Sequence, residues 1–399
     1  MRWLKPEVNF TTPPTIAISL LGKAIEKDPN KPALHARLAE AFMQCRRFSD
    51  AADAYEIAAR QDVGAFLAWP KLAMCYLELD RPEDALDACR RGESREPSAS
   101  IQFQRGRALR KLGRLSEAQD AFLSAIRINT HLHALKWLLK PLAQQSDGRE
   151  LLDFCDALPR SYQGDPLVRA NRAIALSRLG RTEEALQIVD LDRHVARIPF
   201  VLPAQFAGTE QFNRQLADDI LADRPPGTPD DKDFDINYAP RLHQSEALLL
   251  LREFIKSAIE IYLDEFHERK LDAVMPPPPA AGTLFTSSVV LRAGGRNGEH
   301  VHPGGYVSAV YHVLVPDSVT QASDNRGSLV LGRCDGYTGG YVPCWGSRYL
   351  KPIAGSLVIF PSHIYHDVVP SRTRAPRISV AADLRPAACE GEMDRTEYL

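Results

Sequence analysis

The sequence predicts an α-helical solenoid followed by an antiparallel β domain, a barrel or double sheet buttressed by helices. Three observations predict it. An alanine-rich octet recurs about every 34 residues through the first half. That pattern stops near residue 191. From Thr283 onward, short apolar runs alternate with clusters of Gly, Pro, Asn and Asp, which is strand-and-turn texture. The expected division is residues 1–191 and 192–399, with a β core at about 283–385. A chain of 399 residues is too long for one ordinary core, so more than one domain is expected.

The first half repeats itself. Phe48 to Tyr55 recurs as Pro82 to Cys89, as Leu115 to Phe122, and in part as Thr182 to Leu186. The key alanines, Ala51, Ala85, Ala118 and Ala185, stand 34, 33 and 67 residues apart. The last gap is two periods, with a degenerate copy around Leu152 between them. This period, with two helices per unit, resembles tetratricopeptide repeats. Leu112-Gly113 and Leu179-Gly180 fall in the inter-helix turns, and Pro97 falls near the end of a second helix. Small alanines let paired helices approach closely, and each repeat buries its apolar face only against its neighbours. The alanines and leucines are therefore read as packing residues. The concave face of such an array suits a protein or peptide partner, or the joining of subunits.

Between Asp192 and Thr209 no period is visible. A short helix is expected over Glu210 to Ala222, then a turn-rich connector from Asp223 to Asp231. A long amphipathic helix follows over Ser245 to Arg269, with Leu248, Leu251, Phe254, Ile255, Ala258, Ile259 and Tyr262 on one stripe. Met275 and the prolines Pro276 to Pro279 end it. Strands are expected at Leu284–Arg292, Tyr306–Val315, Ser328–Leu331, Ser356–Phe360 and Arg377–Leu384. Helices before a run of short strands suggest the helix-buttressed arrangement.

The formal net charge of -2 gives no reason to expect nucleic acid. Seven cysteines, an odd count without a CxxC pair, favour reduced thiols and a cytoplasmic setting over disulfides or a zinc ribbon. Met1 to Phe10 lacks an apolar run behind basic residues, so no secretory signal is expected. No apolar run reaches the roughly 18 residues of a membrane span, so no membrane association is expected.

The chemistry-bearing residues lie in the β half. His300 and His302 are i, i+2, so on a strand they share a face, with Glu299 on the other. His366 follows a run that ends in a proline turn, from which an imidazole can swing toward the mouth of the fold. Three such rings make a facial metal site. Asp367, one residue on, faces away from His366. Arg377 offers a planar fork suited to a carboxylate, and Ser379 faces the same way two residues along. Ser308 and His312 share a parity on their strand. His363 is read as a loop residue beside the pocket. Tyr306, Tyr311 and Trp345 are read as packing, with Trp345 in a Gly-rich loop that could border a substrate groove. Cys334 and Cys344 flank that loop and are expected as thiols.

The segments Glu299 to Val313, Gly355 to Pro370 and Arg377 to Ala381 resemble, in that order, the two metal-binding strands and the arginine-serine motif of 2-oxoglutarate/Fe(II)-dependent oxygenases. The likeness is closest to oxygenases fused behind tetratricopeptide repeats, and it covers roughly residues 205 to 385. It implies a double-stranded β-helix (jelly-roll) fold, with Fe(II) on His300, His302 and His366. It also implies 2-oxoglutarate on Arg377 and Ser379, with His312 and Ser308 beside it. The expected activity is hydroxylation of a peptide, protein or small molecule, releasing succinate and CO2. Two positions depart from the common pattern: His302 stands where an Asp or Glu is usual, and His312 where a tyrosine is frequent. Two rival readings remain beside this one: a scaffold whose β domain is inert or merely metal-binding, and a three-histidine thiol dioxygenase needing neither Arg377 nor 2-oxoglutarate.

Overall fold

The computed structural model describes residues 14–61, 68–95, 97–128, 132–145, 147–201, 205–223, 234–237, 245–268 and 282–386. Packing divides the chain into two units, and the division falls between Leu138 and Leu139.

The first unit holds α1 (Pro14–Lys27), α2 (Pro32–Gln44), α3 (Phe48–Gln61), α4 (Ala68–Glu78), α5 (Pro82–Glu93), α6 (Ala99–Lys111) and α7 (Leu115–Ile128). Helix α8 (Leu132–Gln145) begins in it. Each helix packs mainly on its sequence neighbours, as a solenoid requires. The repeat alanines are where the pattern puts them: Ala51, Ala85 and Ala118 are buried. Trp69, Leu72, Cys75 and Cys89 join Ala51 and Ala85 in one continuous core. Gly106 shows how close the helices come, since a Cβ there would lie 2.5 Å from the Phe122 ring. The turn after α6 needs a left-handed residue, supplied by Gly113 at φ +74°. Arg46 and Asp80 hold φ of 58° and 57° in the turns after α2 and α4.

In the second unit α9 (Arg149–Ala157), α10 (Arg160–Gln163), α11 (Pro166–Arg178) and α12 (Thr182–Ile188) precede the β region. The degenerate repeat is therefore helical. Asp165 caps α11 by accepting from Leu167 N at 2.8 Å. The aperiodic stretch after residue 191 hides a strand that the sequence pattern does not reveal, β1 (Ala196–Pro199). Its Arg and Pro obscure any alternation, and pairing with a neighbour defines it. Then come α13 (Thr209–Ala222), β2 (Phe234–Asn237) and α14 (Glu246–Glu268), followed by β3 (Gly282–Leu291), β4 (Val307–Leu314) and the short α15 (Asp317–Thr320). The chain continues through β5 (Leu329–Leu331), β6 (Arg348–Leu350), β7 (Ser356–Pro361), β8 (His366–Val368) and β9 (Arg377–Pro386). The expected connector beyond Asp223 and the proline run at 276–279 lie outside the described residues.

Six strands form one antiparallel sheet in the order β1-β7-β4-β9-β3-β2, and three form a second in the order β6-β5-β8. Sheet alternation then sorts the side chains. On β4, Val307, Ala309, Tyr311 and Val313 join Ile378, Val380, Ala382 and Leu384 of β9 in a core with α13 and α14. Leu248, Leu251, Ile255, Ile259 and Tyr262 cover that face, so α14 is the expected buttress. The opposite faces of β4 and β9 carry Ser308, His312, Arg377, Ser379 and Asp383. A second core unites Val358 and Phe360 of β7 with Leu329 and Leu331 of β5, closed by Ala173, Val189 and Leu191. The six described cysteines, Cys334 and Cys344 included, are free thiols.

Candidate metal centre

The candidate metal site lies where the two sheets meet. His366 opens β8, opposite Leu331 of the small sheet. His300 is not in a regular strand as expected; it forms a lone antiparallel bridge to His366, with N···O distances of 3.1 and 2.9 Å. His302 N donates to Ser362 O at 3.1 Å, and Gly304 at φ +72° turns the chain into β4. The segment is thus extended but pinned at single points. The three rings still converge. His300, His302 and His366 each offer a nitrogen, and these atoms lie within 4.8 Å of one another. Ring centroids are 5.0 Å apart for His300 and His302, 4.1 Å for His300 and His366, and 4.8 Å for His302 and His366.

The outer nitrogen of each ring is engaged by an acceptor. His300 Nδ1 donates to Gly298 O at 2.6 Å, and His366 Nδ1 to Ile364 O at 3.1 Å. His302 Nδ1 contacts the carboxylate of Asp383. A carbonyl or carboxylate accepts only, so each Nδ1 is placed to donate and each ring turns its Nε2 inward. The Nε2 atoms of His300 and His302 face each other at 3.0 Å. Two imidazole lone pairs at that spacing repel unless a cation or a proton sits between them, so the donor set fits a metal ion. Burial first, then the neighbouring His300 and His302 rings, hold His366 well below the usual imidazole range, which favours the neutral ligand form.

A second cluster lies along the same face. His312 is directly opposite Ser379 across β4 and β9, and Arg377 lies two residues from Ser379. Arg377 is 1% exposed, and its Nε and Nη2 have no hydrogen-bond partner. His312 is fully buried with both ring nitrogens unpartnered. Burial lowers the Arg377 guanidinium to about 10, and burial with Arg377 and then Arg197 nearby drives His312 well below its usual range. Orphaned buried donors are costly, and an anionic ligand with carboxylate oxygens would satisfy them. The β4 strand bulges immediately after His312, a feature common beside functional sites.

Ser308, expected beside the cosubstrate, has its hydroxyl engaged elsewhere. It lies 2.8 Å from Asp383, 2.9 Å from Ser362 and 3.2 Å from His302 Nδ1. Asp383 is a site residue that the motifs do not single out, although it shares the parity of Arg377 and Ser379 on β9. Burial alone would raise its carboxyl, but His302, Arg385 and Ser308 hold it below the usual carboxylate range.

Behind the ligands, Arg333 contacts Asp367 and lies 3.8 Å from Glu299. Glu299 also accepts from Tyr337 N at 3.0 Å. These two acids flank His300 and His366 in sequence and pair away from them, as their parity implies. His363 Nε2 donates to Ile188 O at 2.7 Å, and Trp345 Nε1 donates to Gly332 O at 3.0 Å. Tyr311 donates to Asn213 at 2.6 Å within the core.

Residues 288–383 match the family described as "Putative 2OG-Fe(II) oxygenase". Residues 16–69 and 72–132 match two tetratricopeptide repeat families. No curated protein matches the chain. Among solved structures it is similar to a prolyl-4-hydroxylase of Pseudomonas putida, at 18% identity over 49% of this chain and 95% of that one, with a TM-score of 0.33. It is similar also to a prolyl hydroxylase of Trichoplax adhaerens in complex with a hypoxia inducible factor peptide fragment, at 13% identity over 53% and 93%, with a TM-score of 0.33. A third is YrrB, a tetratricopeptide-repeat protein with an unusual peptide-binding site, at 19% identity over 43% and 89%, with a TM-score of 0.32.

Proposed function

We propose that this chain, a 2-oxoglutarate- and Fe(II)-dependent oxygenase domain behind tetratricopeptide repeats, hydroxylates a C–H bond of a peptide, protein or small-molecule substrate. The observation that carries the reading is the pairing of two features on one face: three converging imidazole nitrogens and a buried guanidinium with unpartnered donors. His300, His302 and His366 are assigned to Fe(II). Bound there, Fe(II) and 2-oxoglutarate supply the oxygen activation, with succinate and CO2 as by-products.

The chain's own residues orient and enclose. Arg377 receives the distal carboxylate of 2-oxoglutarate in its planar fork, and its burial makes that pair strong by excluding water. Ser379 and His312 border the same carboxylate, one on each paired strand. His312 takes the place of the tyrosine frequent in the resembling enzymes and can present an N–H there without ionising. Ser308 is assigned to the metal side, with Asp383. The helical repeats hold a protein or peptide partner on the solenoid surface, which favours an extended polypeptide as substrate.

The test is anaerobic addition of Fe(II) and 2-oxoglutarate, followed by exposure to oxygen. A weak visible charge-transfer band is expected for the anaerobic wild type, and slow succinate release once oxygen is admitted without substrate. Both are expected to vanish in Arg377→Ala at sub-millimolar 2-oxoglutarate. A band that persists unchanged in Arg377→Ala sinks the assignment. Oxidation of a small thiol without 2-oxoglutarate would transfer the site to thiol dioxygenase chemistry.

A further inference from the structure

In the resembling oxygenases a carboxylate is usual where this chain has His302, so a cation here would meet three neutral rings. The missing negative charge is nevertheless close by. Asp383 lies on β9 directly opposite Ser308 of β4, and its carboxylate contacts His302 Nδ1. Ser308 donates to the same oxygen at 2.8 Å. The other Asp383 oxygen lies 3.8 Å from Arg385 Nη2.

We infer that Asp383 is the positioning residue of the metal centre, holding the Nδ1 proton of His302 and placing a negative charge one imidazole away from the cation. The inference rests on the reading of the three histidines as a metal site. A carboxylate behind a ligating imidazole does two things. It fixes the tautomer and ring angle, and it makes Nε2 a stronger donor. In this chain it also returns, at second remove, the charge that the substitution of the acid ligand took away. Gly298 and Ile364 offer neutral carbonyls to the other two rings, whereas His302 Nδ1 meets an anion. Arg385 approaches the far oxygen, which leaves the near one directed at the ring.

The experiment is titration of the metal-free full chain with Co(II), read by its visible d–d absorption, with near-ultraviolet circular dichroism confirming the fold. Asp383→Asn is expected to weaken Co(II) binding about 10- to 100-fold and to change the d–d spectrum. In a His302→Ala background, Asp383→Asn is expected to have no further effect, because Asp383 acts through His302. If Asp383→Asn does not fold, Ser308→Ala takes its place, with a several-fold loss of affinity expected only when His302 is present. Wild-type affinity in the folded variant, or an equal loss with and without His302, overturns the inference. Failure of the wild type to bind Co(II) at all overturns the metal-site reading itself and this inference with it.

Discussion

At the residue scale, two neighbouring buried side chains with unpartnered polar atoms distinguish the second cluster. His312 has two orphan ring nitrogens beside a guanidinium with two orphan donors. If these atoms await the cosubstrate, His312→Ala should raise the KM for 2-oxoglutarate about 10-fold or more, the worth of one hydrogen bond to a charged group. The turnover number should change less, a split that steady-state succinate release will display. Asp165 makes the contrasting case of a buried acid with a structural role. It is 8% exposed, caps α11 and accepts from Gly304 N at 3.3 Å. Burial, only partly offset by those bonds, raises its carboxyl from 3.8 to about 6. Its folded-state value thus lies above the unfolded one, and the folded chain binds the extra proton between about pH 4 and 6. Stability from this group is therefore present at low pH and is lost as pH rises through about 6. Relative to Asp165→Asn, the wild type should lose at most about 3 kcal/mol between about pH 4 and pH 7. Urea unfolding at the two pH values measures it, and a pH-independent difference would contradict the assignment.

At the element scale, the repeat helices show that two glycines of the same period do different jobs. Gly113 needs its left-handed backbone but has open space around its Cβ position. Gly106 has an ordinary helical backbone but no space, since the Phe122 ring lies 2.5 Å from where a methyl group would sit. Gly113→Ala should cost about 1 kcal/mol from backbone strain alone. Gly106→Ala should cost about 1–3 kcal/mol from overpacking, and Phe122→Leu should rescue part of it. Thermal unfolding of the two single variants and of the Gly106→Ala/Phe122→Leu pair tests this; no rescue by the pair would refute the packing explanation. The β elements differ in how far pattern alone betrays them. The longer strands β3, β4, β7 and β9 are readable as apolar runs between turn residues. The three-residue β5 is readable too, as the wholly apolar run Leu329-Val330-Leu331, but β1, β2, β6 and β8 are not, because their few residues mix polar and apolar types and take their identity from the neighbour they pair with.

At the scale of the whole molecule, the repeat pattern and the packing units do not share a boundary. The pattern runs to about residue 191, whereas the unit holding the β sheets begins at Leu139. Within that unit α11 is bound to the loop behind the three histidines. Buried Asn171 accepts from Tyr337 OH at 3.2 Å, Ser177 and Tyr341 share a hydrogen bond of 2.7 Å, and Arg178 donates to Thr338 O at 2.9 Å. Tyr337 N in turn holds Glu299, next to His300. Asn171→Ala would remove the acceptor of the Tyr337 hydroxyl and should cost about 1 kcal/mol. Hydrogen exchange should then quicken across residues 333–341 and 299–302, although position 171 lies inside the helical pattern. Unchanged exchange in those segments would show that α11 does not support the site. Among the described residues no helix is long and apolar enough to cross a membrane.

Local pattern alone determined the helical period, its alanine contacts and the buttressing helix, whereas the candidate site residues are singled out by their resemblance to a family's motifs. The helical features repeat every few positions, so spacing encodes them. The tertiary structure decided what depends on pairing between distant segments. It joined His300 to His366 through one bridge, set Asp383 against His302 across 81 residues, and drew Ser308 beside both. Hydrogen bonds between strands far apart in the chain leave no trace in composition or period, and they fix which neighbours each side chain meets.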